Sequence, residues 1–277
     1  MKNADPKVIN DFGRQWTRFK QVGIDNELLA TFKRYFSIFP VERLNRDWVV
    51  ADFGCGSGRW AKFVAPLVKT IYLVEPSRSA LDIACAHLKD FTNVIPVCST
   101  INDCEIDDGS LDFAYCIGVL HYVPDAESAF RKMAGKIRKG GYLLVYMYYN
   151  FENRPLWFRF IWRITDILRR IISRMPFRLK AFSADVLAVL VYAPVVALGS
   201  ILNKIGDVPQ AFPLRVYIGK SFYTLRTDAL DRFGTRIEKR FSREDIKRLY
   251  ENNGFDISTL AISDTPPYWC AVCRRVQ

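Results

Sequence analysis

Val49-Val-Ala-Asp52-Phe-Gly54-Cys-Gly56-Ser-Gly58-Arg59-Trp60 reads as an apolar strand running into a glycine-rich turn that opens a helix. Glycine recurs at every second position, which suits a turn where a ligand approaches the backbone too closely for a Cβ. The spacing differs from the dinucleotide pattern G-x-G-x-x-G, whose third glycine would fall at Arg59, and so argues against a pyrophosphate-bearing ligand. The next strand, Ile71-Tyr-Leu-Val-Glu75, closes on an acid. That carboxylate would lie beside the turn and could accept hydrogen bonds from both hydroxyls of a ribose. Turn and acid together suit a nucleoside without phosphates.

Outward from this pair the elements alternate. Strands are predicted at Trp48 to Phe53, Ile71 to Glu75, Val94 to Cys98, Leu111 to Ile117 and Tyr142 to Tyr149. Between them fall helices at Arg59 to Val68, Arg78 to Lys89 and Ala126 to Arg138, the last stopped by Lys139-Gly140-Gly141. The strands are near-continuous apolar runs, as in a parallel sheet covered on both faces. Ser242 caps a helix that runs to Asn252 and stops at Gly254, with Asp245 completing a capping box. Phe255 to Ile262 and Tyr268 to Arg274 then form an antiparallel pair about a loop holding Pro266-Pro267. Residues 6–39 read as one or two helices ending at Pro40. Past Asn150, to roughly Pro213, the rhythm breaks into a helical insertion. At 277 residues this is one domain with decoration.

Five stretches in this order resemble the class I methyltransferases, and more closely a bacterial branch with helices inserted after the fifth strand. They are Asp52 to Trp60, Asp107-Asp-Gly-Ser-Leu-Asp112, Gly118-Val-Leu-His-Tyr-Val-Pro-Asp125, Arg138-Lys-Gly-Gly141 and Ser242 to Phe255, while Phe12-Gly-Arg-Gln-Trp16 is similar to that branch's N-terminal helix. The resemblance implies an α/β fold with a doubly wound, mostly parallel seven-stranded sheet and a helical insertion. It implies S-adenosylmethionine as cofactor and S-adenosylhomocysteine as product. Asp52, Gly54, Gly56 and Gly58 would shape the site of the methionine half, Glu75 would hold the ribose, and Gly118 would belong to the same site. The family's acid for the adenine amino group has no direct match in Cys98-Ser-Thr-Ile-Asn102-Asp103, so Asn102 or Asp103 would substitute. His121 follows the fourth strand at its ligand-facing end. It is either a general base with a pKa suited to neutral pH or a packing residue. His87, within an amphipathic helix, reads as packing.

The resemblance divides the chain into an N-terminal helical cap (1–44), a cofactor-binding core (45–150), an insertion or lid over the acceptor site (151–240) and a C-terminal helix with a strand pair completing the sheet (241–277). The expected reaction is methyl transfer to oxygen, less readily to nitrogen, of a small-molecule, sugar or lipid-linked acceptor. A non-catalytic module docking a membrane or partner through basic helices is the alternative.

Seven cysteines at scattered positions suggest reduced thiols, and Cys270-x-x-Cys273 lacks a second pair, so no metal site is expected. The net charge of +11 is concentrated: residues 151–182 hold eight Lys or Arg against Glu152 and Asp166. Interleaved with aromatics, this reads as a basic amphipathic helix of the kind that lies on anionic lipid. Val186 to Asn203 then carries no charge over 18 residues, near the lower limit for a membrane span, but Pro194 and Gly199 interrupt it. A lid, peripheral membrane contact through 151–203 and a homodimer face all fit this apolar surface. No nucleic-acid recognition pattern is present, and no nucleic-acid partner is expected. The N-terminal Met-Lys-Asn-Ala-Asp-Pro has no apolar stretch behind a basic start, so the cytoplasm is the expected location, with the inner membrane face as a variant.

Overall fold

The computed structural model describes residues 2–39, 41–152, 154–209, 211–263 and 268–276. Two helices, α1 (Pro6–Arg18) and α2 (Asp25–Phe36), precede the first strand. The core then runs β1 (Val49–Phe53), α3 (Ala61–Val64), β2 (Thr70–Val74), α4 (Arg78–His87), β3 (Val94–Val97), β4 (Leu111–Ile117), α5 (Ala126–Lys136) and β5 (Ile137–Tyr148). Four helices follow: α6 (Leu156–Ile172), α7 (Phe177–Leu187), α8 (Ala193–Ile205) and α9 (Phe222–Gly234). The chain finishes with α10 (Arg243–Glu251), β6 (Ala261–Ile262) and β7 (Tyr268–Arg274).

The seven strands make one sheet in the order β3-β2-β1-β4-β5-β7-β6, with β1 to β5 parallel and β7 antiparallel to both neighbours. This is the doubly wound sheet expected. Strand order reverses between β1 and β4, the switch point beside which ligands bind in such sheets. Aromatic residues of and after α2 cover the middle strands: Phe39 stacks on Phe113 at 4.4 Å between centroids, and Phe36 meets Tyr115 edge-on at 5.4 Å. Each such buried ring contributes about 2–3 kcal/mol through area removed from water.

Three local expectations are corrected. The helix from Arg59 shrinks to one turn of α3 followed by a tighter turn, Ala65–Leu67, because Pro66 has no N–H to continue the ladder. Lys139-Gly140-Gly141 does not stop a helix. α5 ends at Lys136, and the glycines form a bulge in β5, where pairing with β4 shifts register between Leu111↔Ile137 and Phe113↔Tyr142. Gly140 there has φ +82°. The strand from Phe255 reduces to Ala261–Ile262, since Asp256 accepts the Ser258 amide at 3.0 Å and caps a turn at Ile257–Thr259. Pro40, expected to end the N-terminal helices, and the Pro266-Pro267 loop lie outside the described residues. The Ser242/Asp245 capping box is present at α10.

The chain divides into two compact units, Met1–Asn150 with Ile237–Gln277, and Phe151–Arg236. In the first, the buried Tyr250 hydroxyl of α10 lies 2.9 Å from the Leu143 carbonyl of β5 and 2.8 Å from that of Ala271 on β7, fastening helix to sheet. In the second, Arg226 of α9 makes a bidentate pair with Asp185 of α7, at 2.9 and 3.1 Å. Tyr250→Phe should cost about 1 kcal/mol of stability, the net value of a buried hydrogen bond. Urea denaturation checks this, with an unchanged midpoint as the contrary result.

Candidate cofactor site at the switch point

The glycine turn is built from positive φ, +76° at Gly54 and +55° at Gly56, held by the amides of Gly54 and Cys55, which donate to Val74 O at 2.7 and 3.2 Å. The space a Cβ would need is filled by protein. At Gly54 it would overlap Val119 Cγ2, at Gly56 it would come 2.9 Å from Trp16 Nε1, and at Gly58 3.0 Å from Ala84 Cβ. Backbone conformation and the close packing of Val119, Trp16 and Ala84 therefore require these glycines, a reason the sequence reading did not give.

Glu75 follows β2 and is buried. Its Oε2 accepts the Gly56 amide at 3.1 Å and its Oε1 the Ser77 amide at 2.9 Å, so one carboxylate bridges the turns after β1 and β2. Burial pushes its pKa up to about 7, against the pull of those two amides. Asp52, at the end of β1, is more deeply enclosed. Its pKa is pushed up to about 8 by burial, eased by the nearby Tyr115 hydroxyl. Neither carboxylate oxygen has a hydrogen-bond partner of standard geometry among the described residues. Ser57 Oγ, in the same turn, and Gln15 Nε2, on α1, are likewise buried without partners. His87 packs as expected for a helical residue and ties its Nδ1 to Ser57 O at 2.9 Å, bracing the turn.

α1 crosses three of the loops at this end of the sheet, which composition and spacing did not predict. Gly13 lets it approach Ser77 so closely that a Cβ would overlap Ser77 Oγ. Trp16 sits on Gly56, and the Arg59 guanidinium lies 4.7 Å from the Trp16 ring and 4.6 Å from that of Trp60. Phe12 meets Tyr122 at 5.2 Å.

Asn102 and Asp103, expected to substitute at the adenine, are both engaged with the N-terminal arm. Asn102 Oδ1 accepts from Asn3 Nδ2 at 2.9 Å while its Nδ2 donates to Ser128 Oγ at 2.9 Å. Asp103 accepts the Lys2 amide at 2.8 Å and the Thr100 hydroxyl at 3.1 Å, and the Lys2 contact holds its pKa below the ordinary value. Both side chains serve to dock the N-terminal arm.

Beyond Gly118, φ +79°, the turn Leu120–Tyr122 carries His121. Its imidazole is fully buried, stacked on Tyr148 at 3.8 Å and 15°, with Tyr122 edge-on at 4.2 Å. Tyr122 and Tyr148 join their hydroxyls at 2.9 Å, and Arg240 lies over the Tyr148 ring at 5.2 Å. Burial, reinforced by the Arg240 charge, holds the His121 pKa well below 6.5, so the expectation of a base tuned to neutrality is corrected. The ring is neutral at pH 7, and neither nitrogen has a hydrogen-bond partner among the described residues. The alternation Tyr146-x-Tyr148 marks one face of β5 and was the available signal for this aromatic cluster.

A reversed strand order, a bridging acid after β2 and a glycine turn against an orphaned carboxylate define a nucleoside-binding doubly wound protein of methyltransferase type. Residues 51–145 match the family model described as a methyltransferase domain. Ubiquinone biosynthesis O-methyltransferases are similar in sequence. The one from Vibrio parahaemolyticus is 29% identical over 153 residues, 51% of this chain and 62% of its own length. That from Cupriavidus pinatubonensis is 26% identical over 156 residues, 52% and 59%. The match thus spans about three fifths of these relatives. Among solved structures, the fold is shared with an S-adenosylmethionine-dependent methyltransferase from Mesorhizobium loti, at TM-score 0.54 and 16% identity over 90% of this chain and all of the other. It is shared also with magnesium protoporphyrin IX methyltransferase from Synechocystis PCC 6803, solved with bound S-adenosylhomocysteine, at TM-score 0.52 and 13% identity over 96% and 93%. The family-model match over residues 51–145 and the shared fold support a class I S-adenosylmethionine-dependent methyltransferase.

Two outcomes follow from the site. Gly54→Ala adds a clash with Val119 to a left-handed backbone and should destabilise by more than about 2 kcal/mol. Gly109→Ala, at φ +66° with open space around it, should cost only about 1 kcal/mol, and equal losses in denaturant titrations would refute the packing argument. Folded Asp52 keeps its proton to about pH 8, whereas the unfolded chain releases it near 3.8, so stability falls as pH rises through that window. Asp52→Asn should therefore exceed the wild type in stability by more than about 1 kcal/mol near pH 8, the gap closing towards pH 5. Thermal melts across that range check it.

Proposed function

We propose that the protein transfers a methyl group from S-adenosylmethionine to an oxygen, less readily a nitrogen, of a small-molecule or lipid-linked acceptor. The observation that carries this reading is the set of buried polar atoms left without partners at the switch point: both Asp52 oxygens, Ser57 Oγ and Gln15 Nε2. Buried polar groups are nearly always hydrogen-bonded, so such a set fits a polar ligand. An amino-acid moiety supplies what these atoms lack, an ammonium for Asp52 and a carboxylate for the Gln15 amide. Glu75 keeps a second lone pair on each oxygen after its two amide bonds, enough for the hydroxyls of a ribose. The relatives named as O-methyltransferases support oxygen as the acceptor atom.

The cofactor supplies, when bound, a methyl group activated on a sulfonium. The work left to this chain is alignment and exclusion of water, which can contribute about 7 kcal/mol or more. α1, with Trp16 against Gly56, closes the amino-acid side. On the acceptor side, the neutral His121 ring has a nitrogen available to accept a hydrogen bond from a hydroxyl. The Tyr122–Tyr148 hydroxyl pair and their rings surround it, a setting that suits a phenolic acceptor. His121 thus orients the hydroxyl rather than acting as a strong base.

Calorimetric titration with S-adenosylhomocysteine tests the reading. Binding is expected, with loss in Glu75→Ala. At pH 7 it should release protons, because an ammonium beside Asp52 lowers a pKa that burial holds near 8. Comparison of buffers with different ionisation heats reads the release, which should shrink in Asp52→Asn. No binding by the wild type would sink the proposal. With a phenolic acceptor found by screening, His121→Ala should lower turnover about tenfold at unchanged S-adenosylhomocysteine affinity. His121→Gln, which keeps an acceptor atom without basicity, should recover most of it; a Gln variant as poor as the Ala variant would restore the base role.

A further inference from the structure

Large hydrophobic side chains are exposed at 22 described positions, and 18 of them fall between Leu156 and Ile205. A soluble surface scatters such residues singly, whereas a concentration of this kind marks an interaction face. The unit Phe151–Arg236 has an apolar interior of its own, Ile172, Tyr192, Leu225, Leu230 and Phe233 among it, yet it also buries charge while exposing large apolar side chains. α6 turns Phe160 (64% exposed), Ile164 (54%), Ile167 and Ile171 outward. Its inward side holds Asp166 (6%) and Arg169 (7%), paired at 2.7 Å, with Arg169 Nη1 donating to Thr235 O at 2.9 Å.

The next helix follows the same rule. α7 and α8 join through a π-helical turn, Ala188–Tyr192, into one continuous helix, Phe177–Ile205. It points Phe182, Leu190 (69%), Leu198 and Ile201 outward and buries Ala181, Ala184, Ala188 and Gly199. Lys180 is buried as well, donating to Gly234 O at 3.1 Å. Tyr192 and Val196 are buried on the same side, but a face of large exposed apolar groups backed by small residues and satisfied charges suits contact with lipid.

The charges specify which lipid. From Arg154 to Ile205 the only acids are the buried Asp166 and the Arg226-paired Asp185, and every exposed charge is basic: Arg163, Arg170, Arg174, Arg178 and Lys204. We propose that the outer face of α6 and of the Phe177–Ile205 helix docks in the plane of an anionic bilayer leaflet, apolar side chains in the interface and arginines on phosphate headgroups.

A span is the obvious competitor, since 29 residues reach about 43 Å, more than a hydrocarbon core of about 30 Å. The chain on both sides of this unit belongs to one folded body, so a single crossing would require a second to return. Neither neighbouring helix can provide it. α6 carries Arg163, Asp166, Arg169 and Arg170, and α9 carries Arg226, Asp228, Asp231 and Arg232. In-plane docking needs no crossing, and it stands independently of the reaction proposed above.

Flotation of the full chain with vesicles is the test. The protein should float with equal parts phosphatidylcholine and phosphatidylglycerol and stay at the bottom of the gradient with phosphatidylcholine alone. Arg163→Gln/Arg174→Gln/Arg178→Gln should weaken binding roughly a hundredfold, about fivefold per basic group near an anionic surface. Phe160→Ser/Ile164→Ser/Leu190→Ser should weaken it at least about tenfold. Both variants should keep the wild-type circular dichroism and S-adenosylhomocysteine binding, since the changed residues are exposed. Absence of flotation overturns the proposal, as does a stable dimer in light scattering that these serine substitutions dissociate. Resistance to extraction by alkaline carbonate overturns it in favour of a span.

Discussion

The carboxylate of Glu75 is the fastening on which the switch point depends. Its two oxygens take the amides of Gly56 and Ser77, one in the turn after β1 and one in the turn after β2. Both turns leave the sheet at its carboxyl edge, where backbone donors have outrun their strand partners and would otherwise be orphaned. A single acid satisfies two of them and fixes the spacing between the loops. The same bond holds Gly56, on which Trp16 of α1 sits. A neutral amide at this position would keep only one acceptor oxygen and would release one of the two loops.

Burying that acid beside Asp52 has an energetic consequence. Two carboxylates whose pKa values rise to about 7 and about 8 both oppose folding at neutral pH, because ionising either in place costs more than ionising it in water. The buried neutral His121 adds an opposite dependence, with folding favoured above the ordinary histidine pKa and penalised below it. With two carboxylates against one histidine, these three groups make stability fall as pH rises from the ordinary carboxylate range through neutrality. A ligand bearing a positive charge and hydroxyl groups removes the carboxylate penalties, so binding and folding reinforce each other. A site that is costly when empty and satisfied when filled is preorganised for charge, which is what alignment of a sulfonium methyl donor requires.

The parts of the fold that were legible share one property: their signal is local. Strands buried on both faces are continuous apolar runs, and the glycine turn and capping box are fixed by residues a few positions apart. Gly140-Gly141 misled because glycine after a helix and glycine in a bulge look alike until the partner strand is known, and here the partner is Asp112 of β4. β6 was overestimated because Asp256 competes for the backbone with a turn of its own. The engagement of Asn102 and Asp103 by Asn3 and Lys2 spans about a hundred residues of sequence and leaves no trace in spacing. The same holds for the imidazole of His121, whose basicity is set by Tyr148 and Arg240 brought from two other segments.

The helical unit shows the limit of periodicity most clearly. α6 has an apolar stripe at helical spacing, and in a chain of ordinary composition that stripe would be assigned to a core. Periodicity establishes that two faces differ but is silent on which faces inward. The deciding observation is where Asp166 and Arg169 go, since an ion pair is taken out of water only when its partners are close and its remaining hydrogen bonds are met. Both conditions hold for Arg169, through Asp166 and the Thr235 carbonyl. The proposed docking on lipid accounts for this exposed apolar face, with the ion pair held on the other side. On that proposal the exposed Arg163, Arg170, Arg174 and Arg178 would meet phosphate headgroups at the edge of the apolar face.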